Sequence, residues 1–383
     1  MKTWLYAATF VFSVLATPFM AAADSTTDAI AVLKAVKPAA AGSAEARAAV
    51  DILAKQGGSA LIPLLHGFRD ASPLAMNWLR TAFERAAETQ IAADGKLPEK
   101  DLLALIHDTQ QSPVARRMAY EWLLRQRPEL ERELIPELLL DPAPEFRRDA
   151  VKLLMEDAAA TTDKAASSEL YQRAMQGAVH EDQVTAVAAA LKERGTTVDI
   201  RRHLGFLATW KVIGPFDNKD QKGYAVAYPP EEQIDLEKEY TGQLGPVKWQ
   251  PIGTEDEFGK LDIAKQIQNY KGSLMYFTTA FVSPSDQSLE LRLGTPNAWK
   301  LWVNGKLVFE REEYHRSSQM DQYRLPVTLK KGENTILLKV CQNEQTQDWA
   351  QEYQFQLRVC DPTGAGVLSA ASASAARSLN GAN

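Results

Sequence analysis

The chain is poor in the residues that build the commonest chemical sites. Its 383 residues hold two cysteines, Cys341 and Cys360, and five histidines: His66, His107, His180, His203 and His315. The histidines are scattered. No Cys-x-x-Cys, His-x-His or His-Glu-x-x-His spacing occurs, which excludes the familiar transition-metal patterns. A Gly-rich phosphate loop and a Gly-x-Ser-x-Gly elbow are also missing. Net charge is −6, so no overall basic footprint for nucleic acid exists. After the N-terminal stretch, no apolar run reaches the ~20 residues a membrane-crossing helix needs.

That N-terminal stretch reads as a targeting segment. Lys2 precedes an uncharged apolar run, and Ala21-Ala22-Ala23 offers small residues before Asp24. The pattern predicts a signal peptide over residues 1–23 and an exported protein, periplasmic or extracellular. Pro18 near the run's end argues against a retained anchor. Export permits disulfides. However, Cys341 and Cys360 close what read as consecutive strands of one hairpin, about eight positions apart at ~3.3 Å each. Bridged Cα atoms lie within about 7 Å, so two unbridged thiols are expected.

Composition changes near residue 205. Before it, Ala, Leu, Glu and Arg recur at helical spacing; after it, Trp, Tyr, Val, Gly and Pro rise in short alternating runs. The expected fold class is α + β in separate domains, not an interleaved α/β sheet. The helical part, 24–205, carries a repeat. "SPVARRMAYEWLL" from Ser112 superposes on "APEFRRDAVKLL" from Ala143, with Arg116-Arg117 over Arg147-Arg148 and Leu123 over Leu154. "SPLAMNWLRTAFERA" from Ser72 is a looser copy. Proline opens each helix, where its missing N–H costs nothing. Val114, Met118 and Trp122 in one copy, and Phe146, Ala150 and Leu154 in the next, then share one face. Paired helices at this period describe an α-solenoid. The paired arginines are expected to meet carboxylates such as Asp108 and Asp141 and hold the stack in register.

"DPAPEFRRDAVKLL" from Asp141 resembles the HEAT-repeat signature, an Asp-Pro before the second helix followed by Arg and an Ala-aliphatic pair. The resemblance spans roughly residues 45–160 and implies a structural repeat without chemistry. Residues 163–195 look like one tetratricopeptide-like helix pair capping the stack.

The second part, 206–360, opens at "FLATWKVIGPFDN", with a strand at "WKVI" stopped by Gly214-Pro215. A polar excursion from Lys219 to Lys271 follows, then short strands whose number and spacing point to an antiparallel β-sandwich. "LWVNGKLVF" is a hairpin about Asn304-Gly305. A two-residue turn sets Val303 opposite Lys306, Trp302 opposite Leu307, Leu301 opposite Val308 and Lys300 opposite Phe309. Leu301, Val303 and Val308 then share one apolar face, and Trp302, Leu307 and Phe309 the other. One face belongs to the core; the chain's own loops are expected to cover the second. The tail, 361–383, is small and polar, and composition predicts disorder.

"LWVNGKLVF", "LPVTLKKGENTILLKV" and the Trp that follows resemble the jelly-roll, galactose-binding-like domain of β-galactosidase-type glycoside hydrolases, over about residues 270–360. The Lys331-Gly332 turn and the strand Thr335 to Val340 carry the match. The resemblance implies a jelly roll that contacts sugar, without the family's catalytic barrel. "TWKVIGPFDN" followed by "YPPE" resembles the entry strand of such domains in large secreted bacterial proteins.

Candidate chemistry is sparse. Glycoside hydrolysis needs two carboxyls on a rigid frame, and the densest acidic cluster, Glu255 to Glu257, lies in a polar loop. Asp217, Asn218 and Asp220 set clustered oxygens after a strand, of the kind a structural calcium takes, although local turn bonding is the more ordinary role. Aromatic residues give the better lead, since flat apolar rings stack on sugars while polar neighbours fix orientation. The candidates are Trp299, Trp302, Tyr314, Trp349 and Tyr353, with Gln342 and Asn343; for each, core packing is the commoner fate. The sequence therefore predicts an exported, non-enzymatic binding or adaptor protein, whose sandwich contacts carbohydrate or another extracytoplasmic surface and whose repeats dock a protein partner. A purely structural scaffold, a glycoside hydrolase accessory and an unrecognised hydrolase are the alternatives.

Overall fold

A computed structural model of the chain describes residues 26–39 and 41–370. The predicted signal peptide and the end of the predicted tail, 371–383, lie outside the described residues. Helices fill the first half and antiparallel strands the second. No helix among the described residues is long and apolar enough to cross a membrane. The chain divides into two compact units, Met1–Glu131 and Arg132–Asn383. This division does not coincide with the compositional change near 205.

The first unit contains α1 (Thr26–Lys34), α2 (Ser43–Gln56), α3 (Gly58–His66), α4 (Pro73–Asp94), α5 (Glu99–His107) and α6 (Pro113–Gln126). Neighbours pack in pairs: α1 on α2, α2 and α3 on α4, and α5 on α6. Ser72 caps α4, its hydroxyl accepting from the Ala75 N–H; Pro73 opens the helix and Gly95 closes it at φ 72°. Phe83 meets Trp122 edge-on at 6.1 Å, and Arg125 lies 4.1 Å over the Trp122 ring.

The division falls within α7 (Leu130–Leu134). The second unit goes on with α8 (Pro144–Ala160), α9 (Lys164–Gly177), α10 (Glu181–Glu193) and α11 (Ile200–Leu204). The paired arginines act alike in the two repeats, and backbone carbonyls join the carboxylates among their partners. The first of each pair is buried and donates to a backbone carbonyl ending the preceding helical turn: Arg116 to Ile106 at 2.6 Å, Arg147 to Leu139 at 3.3 Å. The second forms a surface ion pair, Arg117 with Glu121 and Arg148 with Asp182. A guanidinium at a helix C-terminus satisfies carbonyls left without an intrahelical partner.

Two antiparallel sheets follow. The six-stranded sheet runs β4 (Gln250–Gly253), β1 (Thr209–Asp217), β6 (Ser273–Ser283), β11 (Gly332–Gln342), β8 (Ala298–Val303), β9 (Lys306–Arg311). The four-stranded sheet runs β10 (Tyr323–Leu329), β7 (Gln287–Gly294), β12 (Gln354–Cys360), β5 (Leu261–Asp262). In the chain between β1 and β4, α12 (Pro229–Glu232) makes one short turn and β2 (Tyr240–Gly242) and β3 (Gly245–Val247) form a small ribbon. The main core lies between the two large sheets and takes Phe277, Leu301, Leu338 and Val340 from one and Leu291, Val327, Phe355 and Leu357 from the other.

Three local expectations are corrected here. β1 does not stop at Gly214-Pro215; its pairing with β6 slips there and resumes at Phe216. Cys341 and Cys360 do not share a hairpin: β11 and β12 belong to different sheets, and both thiols are buried and unbridged. Burial pushes the Cys341 thiol up to about 12 and the Cys360 thiol up to about 11, so neither is a nucleophile at neutral pH. The first residues of the expected tail, 361–370, are described and bonded to the sheet and to one another. The Asp361 carboxylate accepts from the Thr363 and Ala365 N–H groups, and the Val367 N–H bonds the Val359 carbonyl at 2.9 Å.

One ionic network ties α11 to the four-stranded sheet. Arg358, fully buried, donates to both Asp321 oxygens and to the Leu204 and Gly364 carbonyls. Arg292, also buried, meets Asp321 and Glu290. Gly205, at φ 76°, ends α11 where a Cβ would lie 2.3 Å from the Val359 carbonyl, so any side chain here would force the helix off the strand. Burial pushes the Asp321 carboxyl up, but bonds and charge from Arg358 and Arg292 outweigh it and hold the group below its ordinary value. We predict that Asp321→Ala, which leaves buried Arg358 without a counter-ion and Arg292 with Glu290 alone, lowers unfolding free energy by about 3–5 kcal/mol in urea melts. Because the folded pKa is depressed, the contribution is complete above the unfolded value near 3.9 and fades as pH falls through the folded value. Asp321→Asn should remove this part of the acid dependence.

Candidate functional site

β6 and β11 are apolar on both faces. Strand alternation sends Met275, Phe277, Leu338 and Val340 to the main core and Leu274, Tyr276, Leu337 and Cys341 to the outside. The excursion expected to be polar supplies the cover. Tyr224, Tyr240 and Trp249, with Tyr228, Ile234 and Val247 beside them, pack on Tyr276, Leu337 and Trp302 as a second core. The cover is incomplete. A groove of about 620 Å³ remains open over one end of the six-stranded sheet.

Strand register builds its floor. Pro251, Lys211, Thr278, Leu337 and Trp302 are successive partners across β4, β1, β6, β11 and β8. Ala280 and Thr335 form the adjoining pair, and Asn304 and Glu333 also line the groove. The turn around α12, Pro230 to Leu236, makes one wall. Trp302 is 7% exposed and Leu337 4%, so the apolar part of the floor is nearly covered, whereas Lys211 on the floor and Asn304 and Glu333 at its edge are exposed.

Lys339 secures the wall. Its side chain is fully buried under α12, and its ammonium donates to the Tyr224 carbonyl at 3.0 Å, the Val226 carbonyl at 2.8 Å and Glu231 Oε1 at 2.8 Å. The Tyr276 hydroxyl donates to the same Glu231 oxygen, and Lys339 lies 5.7 and 5.6 Å from the Tyr228 and Tyr276 ring centres. Burial pulls the ammonium below its ordinary pKa, with Glu231 opposing; it pushes the Tyr276 hydroxyl up, and Glu231 adds to that. Sequence reasoning missed Lys339 and Glu231. The available signal was a lysine inside the apolar run "TILLKVC", which demands a buried acceptor.

The residues singled out by sequence fall in three places. Trp302 is on the groove floor. Trp299 is instead a core residue, 0% exposed, wedged between Phe309 at 5.6 Å and Tyr323 at 4.9 Å. Phe309 reaches it because β9 slips by one residue after Leu307, placing Phe309 opposite Leu301 and not opposite Lys300. Tyr353 is also fully buried, its hydroxyl bonded to the Val340 carbonyl at 3.0 Å.

Tyr314, Gln342, Asn343 and Trp349 do come together, with Asn218 and His315, where β11 ends. Asn218 donates to the Tyr314 hydroxyl at 3.2 Å and the Gln342 carbonyl at 3.1 Å. His315 bonds Asn343 at 2.6 Å, and Trp349, 61% exposed, stands edge-on to His315 at 5.3 Å. These polar groups bond one another, leaving the Trp349 indole as the exposed apolar surface. Burial pushes the Tyr314 hydroxyl above its ordinary pKa.

The oxygens considered for calcium do not converge. Asp217 accepts from Lys219 and Gln243, Asp220 pairs with Lys222 at 2.9 Å, and Asn218 is committed as described. Among the described residues no cluster of three His, Cys, Asp or Glu side chains suits a metal. Glu255 pairs with Arg201 at 3.1 Å on the surface, as expected of a solvated loop.

We predict that Lys339→Met frees the α12 wall and leaves Glu231 without its counter-ion, lowering unfolding free energy by about 3–5 kcal/mol. Adding Glu231→Gln should restore part of the loss. Amide exchange over residues 224–236 checks the position of the effect, which should show there before it shows in the central strands.

No family model and no curated protein match the chain. Solved structures do, over part of it. A β-glucosidase from Kluyveromyces marxianus in complex with glucose is 11% identical, over 39% of this chain and 16% of that one, with a TM-score of 0.26. A Faecalibacterium prausnitzii β-glucuronidase is 17% identical, over 36% of this chain and 20% of that one, at 0.22. The Epithelial Adhesin 9 A domain from Candida glabrata, in complex with Galb1-4GlcNAc, is 12% identical, over 41% of this chain and 86% of that one, at 0.21. The chain thus spans about a fifth or less of the two glycosidase chains it matches.

Proposed function

We propose that this is an exported, non-catalytic binding or adaptor protein. In this reading a HEAT-repeat-like solenoid docks a protein partner, and a galactose-binding-like jelly roll takes carbohydrate in the groove over the six-stranded sheet. The carrying observation is the groove itself. Its floor sets the nearly buried Trp302 and Leu337 beside the exposed Ala280 and the hydroxyl of Thr335, while the Thr278 hydroxyl bonds the Ile336 carbonyl and the Asn304 amide bonds Asn334 and the Thr335 N–H. Sugars present the same combination, one apolar face bordered by hydroxyls. Of the three carboxylates lining the groove, Glu231 is engaged by both Lys339 and Tyr276 and so not free for proton transfer, which supports the non-catalytic reading, while Glu232 and Glu333 are exposed on its rim. Trp349, outside the groove, offers an exposed ring for the same class of ligand.

The scaffold alternative draws support from the buried Arg358–Asp321–Arg292 network, which fixes helix against sheet without needing a ligand. A glycan array with the full chain separates the two. Carbohydrate binding should appear above background and fall at least ~10-fold in Ala280→Trp, a loss of about 1.4 kcal/mol or more. That variant fills the exposed floor position beside Thr335 while leaving melting temperature within a few degrees. An array without any signal removes the carbohydrate reading and leaves the scaffold.

A further inference from the structure

We infer that the groove selects saccharides bearing a free amino group and discriminates against uronic acids. The inference rests on the carbohydrate reading above and specifies its ligand.

The charges facing the groove come from three elements. β1 contributes Lys211, the α12 wall contributes Glu231 and Glu232, and β11 contributes Glu333. They are not equally available. Glu231 is the counter-ion of Lys339 and the acceptor of the Tyr276 hydroxyl. Lys339 itself has nothing to offer a ligand: an ammonium has three N–H donors, and all three are taken by Tyr224, Val226 and Glu231. The strongest buried positive charge near the floor is therefore spent within the protein.

Glu232 and Glu333 differ. Both are exposed, and neither forms a salt bridge among the described residues. Glu333 lies on the same face of β11 as Thr335 and Leu337, two and four residues before them in register, at the end of the floor. Glu232 stands on the wall. Two unpaired carboxylates from two separate elements thus border an apolar floor, against one unpaired ammonium on Lys211. The floor offers the Thr335 hydroxyl for an ordinary sugar hydroxyl, that of Thr278 being bonded to the Ile336 carbonyl. A ligand carboxylate meets net repulsion, whereas a ligand ammonium gains a counter-ion on either side.

Calorimetric titration of the full chain with three tetrasaccharides tests this: glucosamine, N-acetylglucosamine and galacturonic acid oligomers, near pH 6 where the amine is protonated. Two exposed ion pairs, each worth up to ~0.7 kcal/mol, make the glucosamine oligomer about 10-fold tighter than its acetylated form at low salt. The advantage should shrink at ~0.3 M NaCl. Glu232→Gln with Glu333→Gln should erase it, bringing the glucosamine and N-acetylglucosamine oligomers to equal affinity. Ala280→Trp should abolish binding of both. If the acetylated or galacturonic oligomer binds as tightly as the amine, and Ala280→Trp abolishes that binding, the inference fails and the carbohydrate reading stands. Amine binding that survives Ala280→Trp, or ignores the double substitution, places the amine elsewhere and also overturns the inference. If no oligomer binds, both the inference and the carbohydrate reading fall.

Discussion

The second unit is organised by a sheet that is apolar on both sides. A strand with one wet face alternates; β6 and β11 do not, because Tyr276, Leu337 and Cys341 on one face are as buried as Phe277, Leu338 and Val340 on the other. Each fully buried side chain of this size is worth roughly 1.5–3 kcal/mol relative to leaving it in water, so a second cover is obligatory. The four-stranded sheet covers the inner face. The outer face is covered by Tyr224, Tyr240 and Trp249 from the stretch between β1 and β6. A loop is an imperfect lid. Where it stops, the floor continues as Lys211, Thr278, Leu337 and Trp302, and the groove is the remainder of a face too wide for its cover.

Such a cover carries its own polar problem. Its backbone carbonyls at Tyr224 and Val226 are drawn against an apolar sheet, where an unpaired carbonyl costs about 1–3 kcal/mol. Lys339 resolves this from below. One side chain satisfies both carbonyls and pairs Glu231, and the neighbouring tyrosine rings tolerate its charge. The same residue therefore stabilises the cover, shapes the groove wall and withdraws both itself and Glu231 from ligand chemistry. What remains for a ligand is the exposed rim.

Much of this was legible in the sequence, and the rest was not for identifiable reasons. The change from helical to alternating spacing located the sheets, and Asn304-Gly305 fixed the first two pairs of its hairpin, Val303 with Lys306 and Trp302 with Leu307. The third pair failed because Val308 is an inserted residue in β9, and a bulge leaves no mark in an apolar run. It moved Phe309 onto Trp299 and made a core pair of a residue considered for binding. The excursion looked polar because its aromatics are isolated, one each at 224, 228, 240 and 249, too sparse for any period. Tyr314, Gln342, Asn343 and Trp349 stood in one candidate set with Trp299, Trp302 and Tyr353; the structure brings these four together, and their polar atoms bond one another and Asn218 and His315. Composition alone cannot distinguish a satisfied cluster from an open one.

The compositional boundary near 205 and the structural division at 131 differ because composition reports local structure, whereas compactness reports packing. Helices α8 to α11 have the alanine-rich spacing of the helices before them, but some of their polar bonds run to the four-stranded sheet and to the segment after it. Arg147 reaches Thr363 at 2.6 Å, Arg358 reaches the Leu204 carbonyl at 3.1 Å, and the Val359 N–H bonds the Gly205 carbonyl at 2.9 Å. Three of these partners lie more than a hundred residues apart from their donors, beyond any window in which a sequence pattern is read. The repeat explains why Arg147 is buried, since Arg116 is buried in the same way. It does not explain Thr363, whose hydroxyl gives the guanidinium a partner from beyond the last strand. A repeat element has thus acquired a second contact, and through it the segment after Cys360, which composition assigns to a tail, holds the helices against the sandwich.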